Sequence, residues 1–263
     1  MNRIKNKFDR LDHNALVCYL TPDFPQTGCT EPVVLALEKA GVDLIEIGIP
    51  FSDPLADGPM VQSSSHHVLK NGITLSRIMT VIKTIRKRSE IPIIAMGYAN
   101  SAIHNGIEHF FSRLHSAGVD GIIIPDVPLE EMPRFLPAAS ASQIDFIPLV
   151  SPLSPDKRIK EICARSSGFI YCVSITGVTG MRKGNYFSAD LLTLLNRVKK
   201  ISTLPALVGF GISENRHLNF LKDKCDGYIV GSALLKAIAP AKTIQESVQR
   251  AVSFVHRLLR RKF

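Results

Sequence analysis

The chain has 263 residues, 45% of them hydrophobic, and a formal net charge of +9, which suits one sizeable core and falls in the size range of α/β barrels. No apolar run approaches the ~20 residues of a membrane helix, and the basic residues 1–7 lack the apolar core of an export signal. Five cysteines without C-x-x-C spacing make no disulfide framework, so a reducing cytoplasm is expected. The positive charge is spread, with runs at 83–88 and 257–262 that carry no interleaved aromatics. A nucleic-acid surface is therefore not indicated, whereas a positive field suits an anionic substrate. The histidines show no metal spacing: His66 and His67 are adjacent, and His109 and His115 are six apart.

The first strand is predicted at 15–20, followed by the turn Thr21-Pro22-Asp23-Phe24-Pro25 and a helix at 31–40 that Gly41 stops. The second strand, 44–48, has Glu46 at its centre. Burying an ionised carboxylate without a partner costs several kcal/mol or raises its pKa, and no Lys or Arg lies between Glu46 and Lys70. Such a residue is either paired with a distant cation or used chemically. The connection 49–76 is long, stiffened by proline over 50–59, and adds Asp53 and Asp57. Two carboxylates near one strand end suggest acid/base work.

A helix at 75–88, a strand at 93–97, a helix at 107–117 stopped by Gly118, and a strand at 121–124 come next. Helix 130–141 and strand 145–149 precede helix 156–165, for which Ser154-Pro155 supplies a start. After Gly168, strand 169–173 carries Tyr171 and leads into a second long connection, 174–188. Helix 189–200 and strand 206–209 follow, then Phe210-Gly211-Ile212, with Ser213 as the cap of helix 214–221. Strand 227–230, Gly231-Ser232, a short helix 233–237 and a last helix 243–259 end the chain. Eight strand-then-helix units without a linker predict an α/β fold: a (β/α)8 TIM barrel, one domain over residues 1–263. An open doubly wound sheet is the alternative, but G-x-G-x-x-G after the first strand is absent.

Barrel enzymes place chemistry at the C-terminal strand ends and phosphate sites after strands seven and eight. Gly209 and Gly211 follow the seventh strand, and Gly231 with Ser232 the eighth. Glycines let backbone N–H groups approach an anion, and the Ser232 hydroxyl can donate too. A phosphate ester is the expected ligand class.

Residues 46–62, Glu-Ile-Gly-Ile-Pro-Phe-Ser-Asp-Pro-Leu-Ala-Asp-Gly-Pro-Met-Val-Gln, closely resemble the signature of the tryptophan synthase alpha subunit family. The likeness continues collinearly through Tyr98-Ala99-Asn100, Pro125-Asp126-Val127-Pro128, Thr176-Gly177-Val178-Thr179-Gly180 and both glycine loops. It implies a lyase of tryptophan biosynthesis that cleaves indole-3-glycerol phosphate to indole and glyceraldehyde 3-phosphate by a retro-aldol reaction. By resemblance, Glu46 is the acid/base and Asp57 accepts the indole N–H. Tyr171 would help orient the substrate or Glu46, and Tyr98 and Tyr19 would line the indole pocket with Phe210 near the ring or phosphate end, although core packing is the commoner fate of a strand aromatic. Thr179 and Gly180 belong to a lid, Gly180 at its phosphate side, and Asp53 would bond Thr179 on closure. The barrel would need no cofactor and no metal. Pyridoxal phosphate would belong to a beta subunit in an alpha2-beta2 complex.

The chain departs from the family in its first loop, where Asp23 stands one position off and a glycine is missing, and at Ile175, where many members carry Arg. The first change implies a differently shaped loop, the second a weaker lid or one more dependent on the partner. Two other functions remain open. A different barrel lyase or isomerase would share the phosphate loops, and a regulatory subunit with weak catalysis would only activate its partner.

Overall fold

The computed structural model describes residues 2–174 and 187–260. Its first half runs α1 (Arg3–Phe8), β1 (Ala15–Leu20), α2 (Thr30–Ala40), β2 (Leu44–Gly48), α3 (Pro59–Lys70), α4 (Leu75–Arg86), β3 (Ile93–Met96), α5 (Ala99–Asn105), α6 (Ile107–Ala117), β4 (Gly121–Ile123) and α7 (Met132–Ala141). Then come β5 (Asp145–Phe146), β6 (Leu149–Val150), α8 (Asp156–Ala164), β7 (Ile170–Val173), α9 (Ala189–Ile201), β8 (Ala206–Gly209), α10 (Asn215–Leu221), β9 (Gly227–Val230), α11 (Ser232–Ile238) and α12 (Ile244–Leu259).

The strands are paired in parallel, in the order β5-β4-β3-β2-β1-β9-β8-β7-β6. β5 and β6 are two pieces of one stave. Pro148 has no N–H to give, so the ladder breaks there. The Ile147 N–H still donates to the Ile122 carbonyl at 2.9 Å, and the Pro148 carbonyl accepts from the Tyr171 N–H at 3.3 Å. The run 145–150 thereby joins β4 to β7, and the ring closes as the predicted (β/α)8 barrel. The single strand expected at 145–149 is thus present as two short pieces.

Successive strand residues face opposite sides of a sheet. Leu44, Ile94, Ile123, Leu207 and Ile229 point to the barrel axis. Ile45, Ile47, Ile93, Val208 and Val230 pack against the helices. Leu44 faces the axis, so Glu46, two residues on, must face it as well.

α1 closes the N-terminal mouth. Ile4 is fully buried among the axis-facing side chains, and the Phe8 ring meets Phe169 edge-on at 6.2 Å. Asn2 caps this helix by accepting the Lys5 N–H at 2.9 Å. Arg3 and Arg86 both donate to Asp120 at that end, and Asp120 also accepts the Ile93 N–H.

Three helices lie outside the sequence expectation: α1, α3 and α5. α3 begins at Pro59 directly after Gly58, a first-turn position where the missing N–H is harmless. The connection after β2 is therefore a loop over 49–58 followed by a helix. Gly41 and Gly118 take the anticipated left-handed φ of 99° and 94° past α2 and α6. The caps expected from Ser154 and Ser213 do not form, because Pro155 and Glu214 occupy the cap positions without side-chain bonds. In the first loop Asp23 adopts φ 58°. Its carboxylate accepts the Gly28 N–H at 2.8 Å and Arg77 Nε at 3.0 Å. The displaced acid thus organises the loop that lacks the family's glycine.

Candidate active site

A cavity of about 330 Å³ opens among the C-terminal strand ends. Glu46, on β2, projects into it and is 1% exposed. Its Oε2 has no hydrogen-bond partner among the described residues. Burial, and secondarily the nearby Asp57 charge, push the Glu46 carboxyl up to about 8. Asp57, from the loop after β2, faces the same space. Its carboxyl is pushed up to about 6 by burial, with the Tyr98 hydroxyl acting against the shift. Near neutral pH Glu46 holds its proton while Asp57 is ionised. Two acids driven apart in this way can serve as proton donor and fixed charge.

The register of β1 against β2 sets Tyr19 directly beside Glu46. Tyr171, on β7, comes at the cavity from the far side of the ring. Both rings need room. A Cβ at Gly48 would collide with the Tyr19 hydroxyl, and one at Gly209 with the Tyr171 hydroxyl. Gly209 does not line the cavity itself. Its missing side chain makes space for a tyrosine that does.

Tyr98 lies behind the cavity, 5% exposed. Its hydroxyl accepts the Ala56 N–H at 3.0 Å and its ring stacks on Phe51 at 5.3 Å. It therefore props the loop that presents Asp57. Asp53, on the same loop, is exposed and its side chain bonds Ser52. Thr179 and Gly180, together with Ile175, lie outside the described residues.

Phe210, Gly211, Gly231 and Ser232 line the β8–β9 side. Phe210 and Gly211 have φ of 71° and 78°. The first is unusual for a side chain with a Cβ. The Ser174 hydroxyl anchors this turn by donating to the Phe210 carbonyl at 2.7 Å, and the Phe210 ring meets Tyr171 edge-on at 6.1 Å. Ser232 opens α11, whose first-turn N–H groups have no partner within the helix.

Sequence reasoning missed several lining residues. Met60 and Val61, on the unforeseen helix α3, and Met96 and Ile229 on strands make the apolar middle. Lys236 is the cationic side chain of the described lining. It stands one helical turn after Ser232, so a lysine at that spacing from Gly-Ser was the available signal. Among the described residues no cluster of His, Cys, Asp or Glu is placed to hold a metal ion, and no helix is long and apolar enough to cross a membrane.

A model of the family described as Tryptophan synthase alpha chain matches residues 6–261. The tryptophan synthase alpha chain of Alkaliphilus metalliredigens is 41% identical over 261 residues, covering 98% of this chain and 97% of that one. That of Geotalea uraniireducens is 46% identical over 242 residues, covering 90% and 89%. A solved structure of the tryptophan synthase a2b2 complex from Pyrococcus furiosus contains a chain with a TM-score of 0.87 at 35% identity, covering 95% of this chain and 99% of that one. With the barrel, its paired carboxylates and a match over nearly the whole length, the chain belongs to the tryptophan synthase alpha chain family.

Proposed function

We propose that this cavity cleaves indole-3-glycerol phosphate to indole and glyceraldehyde 3-phosphate. The observation that carries the reading is Glu46: buried at the cavity, with no partner for Oε2 among the described residues, a setting that pushes its carboxyl up to about 8. Breaking the bond at indole C3 needs a proton on C3 and loss of one from the side-chain hydroxyl. Glu46 delivers the first and, as the resulting carboxylate, accepts the second. Protonation at C3 spreads positive charge to the ring nitrogen, where ionised Asp57 accepts the N–H and stabilises it. Tyr19 and Tyr171 confine the reacting end, and the apolar middle holds the indole ring.

The phosphate sits at the β8–β9 side. Gly211 and Ile212 have N–H groups that no described group accepts, and Gly231-Ser232 and Lys236 border the same space. Gly180 of the lid would add a further N–H, and Asp53 would bond Thr179 on closure, excluding water from the carboxylates.

The chemistry calls on side chains alone. Pyridoxal phosphate belongs to a beta subunit that consumes the indole. The rim of the cavity offers that partner a face: Leu55 is 93% exposed, Leu153 82% and Ile103 43%, all on segments that follow C-terminal strand ends. All five cysteines are free thiols, in keeping with a reducing cytoplasm.

The test is to incubate the purified chain with indole-3-glycerol phosphate, with and without a beta subunit, and measure indole. Release by the isolated chain, raised by the partner, supports an active alpha subunit. Release only at background in both arms would overturn it. The reading of a purely activating subunit is disfavoured by the retained, correctly faced Glu46 and Asp57.

A further inference from the structure

The sequence places Ser213 as the cap of α10, and the structure puts a different bond there. The Ser213 N–H donates to Nδ1 of His217 at 3.2 Å. His217 lies in the first turn of α10, and its own N–H donates to the Glu214 carbonyl at 3.0 Å. Its ring is 8% exposed and meets Phe187 edge-on at 5.7 Å, while Phe187 stacks on Phe220 at 6.0 Å. The imidazole is therefore set by aromatic packing on one side and by its helix on the other. To accept at Nδ1 it must be neutral, with its proton on Nε2. Burial favours that form, holding the imidazole below its ordinary range.

The loop this bond fixes is the one that needs fixing. Phe210 and Gly211 both hold positive φ, and a non-glycine residue there costs free energy that its surroundings must supply. Ser174 secures the start of the turn at the Phe210 carbonyl. His217 secures its end at the Ser213 N–H. Between the two anchors lie Gly211 and Ile212, whose N–H groups no described group accepts. Gly211, Ile212 and Ser213 all border the cavity.

We propose that His217 is a positioning residue for substrate binding: its imidazole holds the Gly211–Ser213 turn in the shape that aims two backbone N–H groups at the phosphate. This rests on the phosphate lying at the β8–β9 side. His217 touches no reacting atom, so its loss acts on binding and leaves proton transfer alone.

His217→Leu removes the acceptor. His217→Asn keeps one, because its amide oxygen falls near the position of Nδ1, whereas the oxygen of His217→Gln reaches further. Gly211→Val serves as the reference for the phosphate site itself. Each variant is measured for kcat, KM and calorimetric affinity for glycerol 3-phosphate. His217→Leu is expected to weaken glycerol 3-phosphate and raise KM about tenfold, the scale of one lost hydrogen bond, with kcat within about twofold. His217→Asn should restore both to within about threefold, and His217→Gln should resemble Leu. If Leu does not fold, the Asn and Gln pair carries the comparison. Weak binding by Gly211→Val with normal binding by His217→Leu or His217→Gln overturns the role of His217 alone. Normal binding by Gly211→Val overturns the phosphate assignment and this inference with it.

Discussion

A carboxyl group buried beside another acid keeps its proton well above the ordinary glutamate range, and for Glu46 this bears on stability as well as on chemistry. Its pKa rises from 4.5 to about 8 in the folded chain. The unfolded chain releases this proton as pH passes 4.5, while the folded chain keeps it until about 8. Stability from this group is thus fully present below 4.5 and is lost as pH rises through about 8. Glu46→Gln, which cannot ionise, should therefore be more stable than the parent at about pH 9, by on the order of a few kcal/mol, and nearly equal to it at about pH 4. Thermal melting of both proteins across that range checks this. Equal melting shifts at every pH would mean that folding leaves the Glu46 pKa near its ordinary value. The same two groups predict a bell-shaped profile of kcat/KM for the free enzyme. Activity rises as Asp57 ionises near 6 and falls as Glu46 deprotonates near 8. In Asp57→Asn the residual activity should lose that acid limb, a change that rate measurements between about pH 5 and 9 would detect.

At the scale of elements, strands and the polarity of their ends were legible because apolar runs alternate with amphipathic ones. Glu46 stood out as a candidate chemical residue for the same reason, since a charge inside an apolar strand conflicts with its surroundings. The closure of the ring at 145–150 was only partly so. Pro148 stands in a run that reads as one strand, and its missing N–H shows only when neighbouring ladders are traced. The role of Gly209 was hidden too, because a glycine that makes room for Tyr171 looks in sequence like one that approaches a phosphate. α1 escaped notice as a short, basic stretch with few apolar residues, yet Ile4 plugs the barrel. Ile4→Ala should cost ~2–4 kcal/mol, a large-to-small change at a fully buried site. Denaturant unfolding would measure it, and a loss below about 1 kcal/mol would show that the plug is dispensable. Because α1 lies at the N-terminal mouth, KM should stay near the parent value.

For the molecule as a whole, the two ends of the barrel divide the labour. The N-terminal end carries the Arg3–Asp120–Arg86 ionic cluster under the α1 plug, while the C-terminal end carries the cavity and an apolar rim. Leu55 projects from the loop that bears Asp57, so a partner seated on the rim would also bear on the active site. Leu55→Asp should weaken association with a beta subunit by about 10–100-fold, the worth of one buried leucine replaced by a charge. Titration of the two subunits by calorimetry would read this, and unchanged affinity would place the partner elsewhere. The central claim is that Glu46 moves the proton. Its most direct test is single-turnover release of indole from indole-3-glycerol phosphate by Glu46→Gln, with glycerol 3-phosphate affinity measured on the same protein. The prediction is a rate lower by ~10²–10⁴-fold at unchanged affinity; indole release near the parent rate would contradict it.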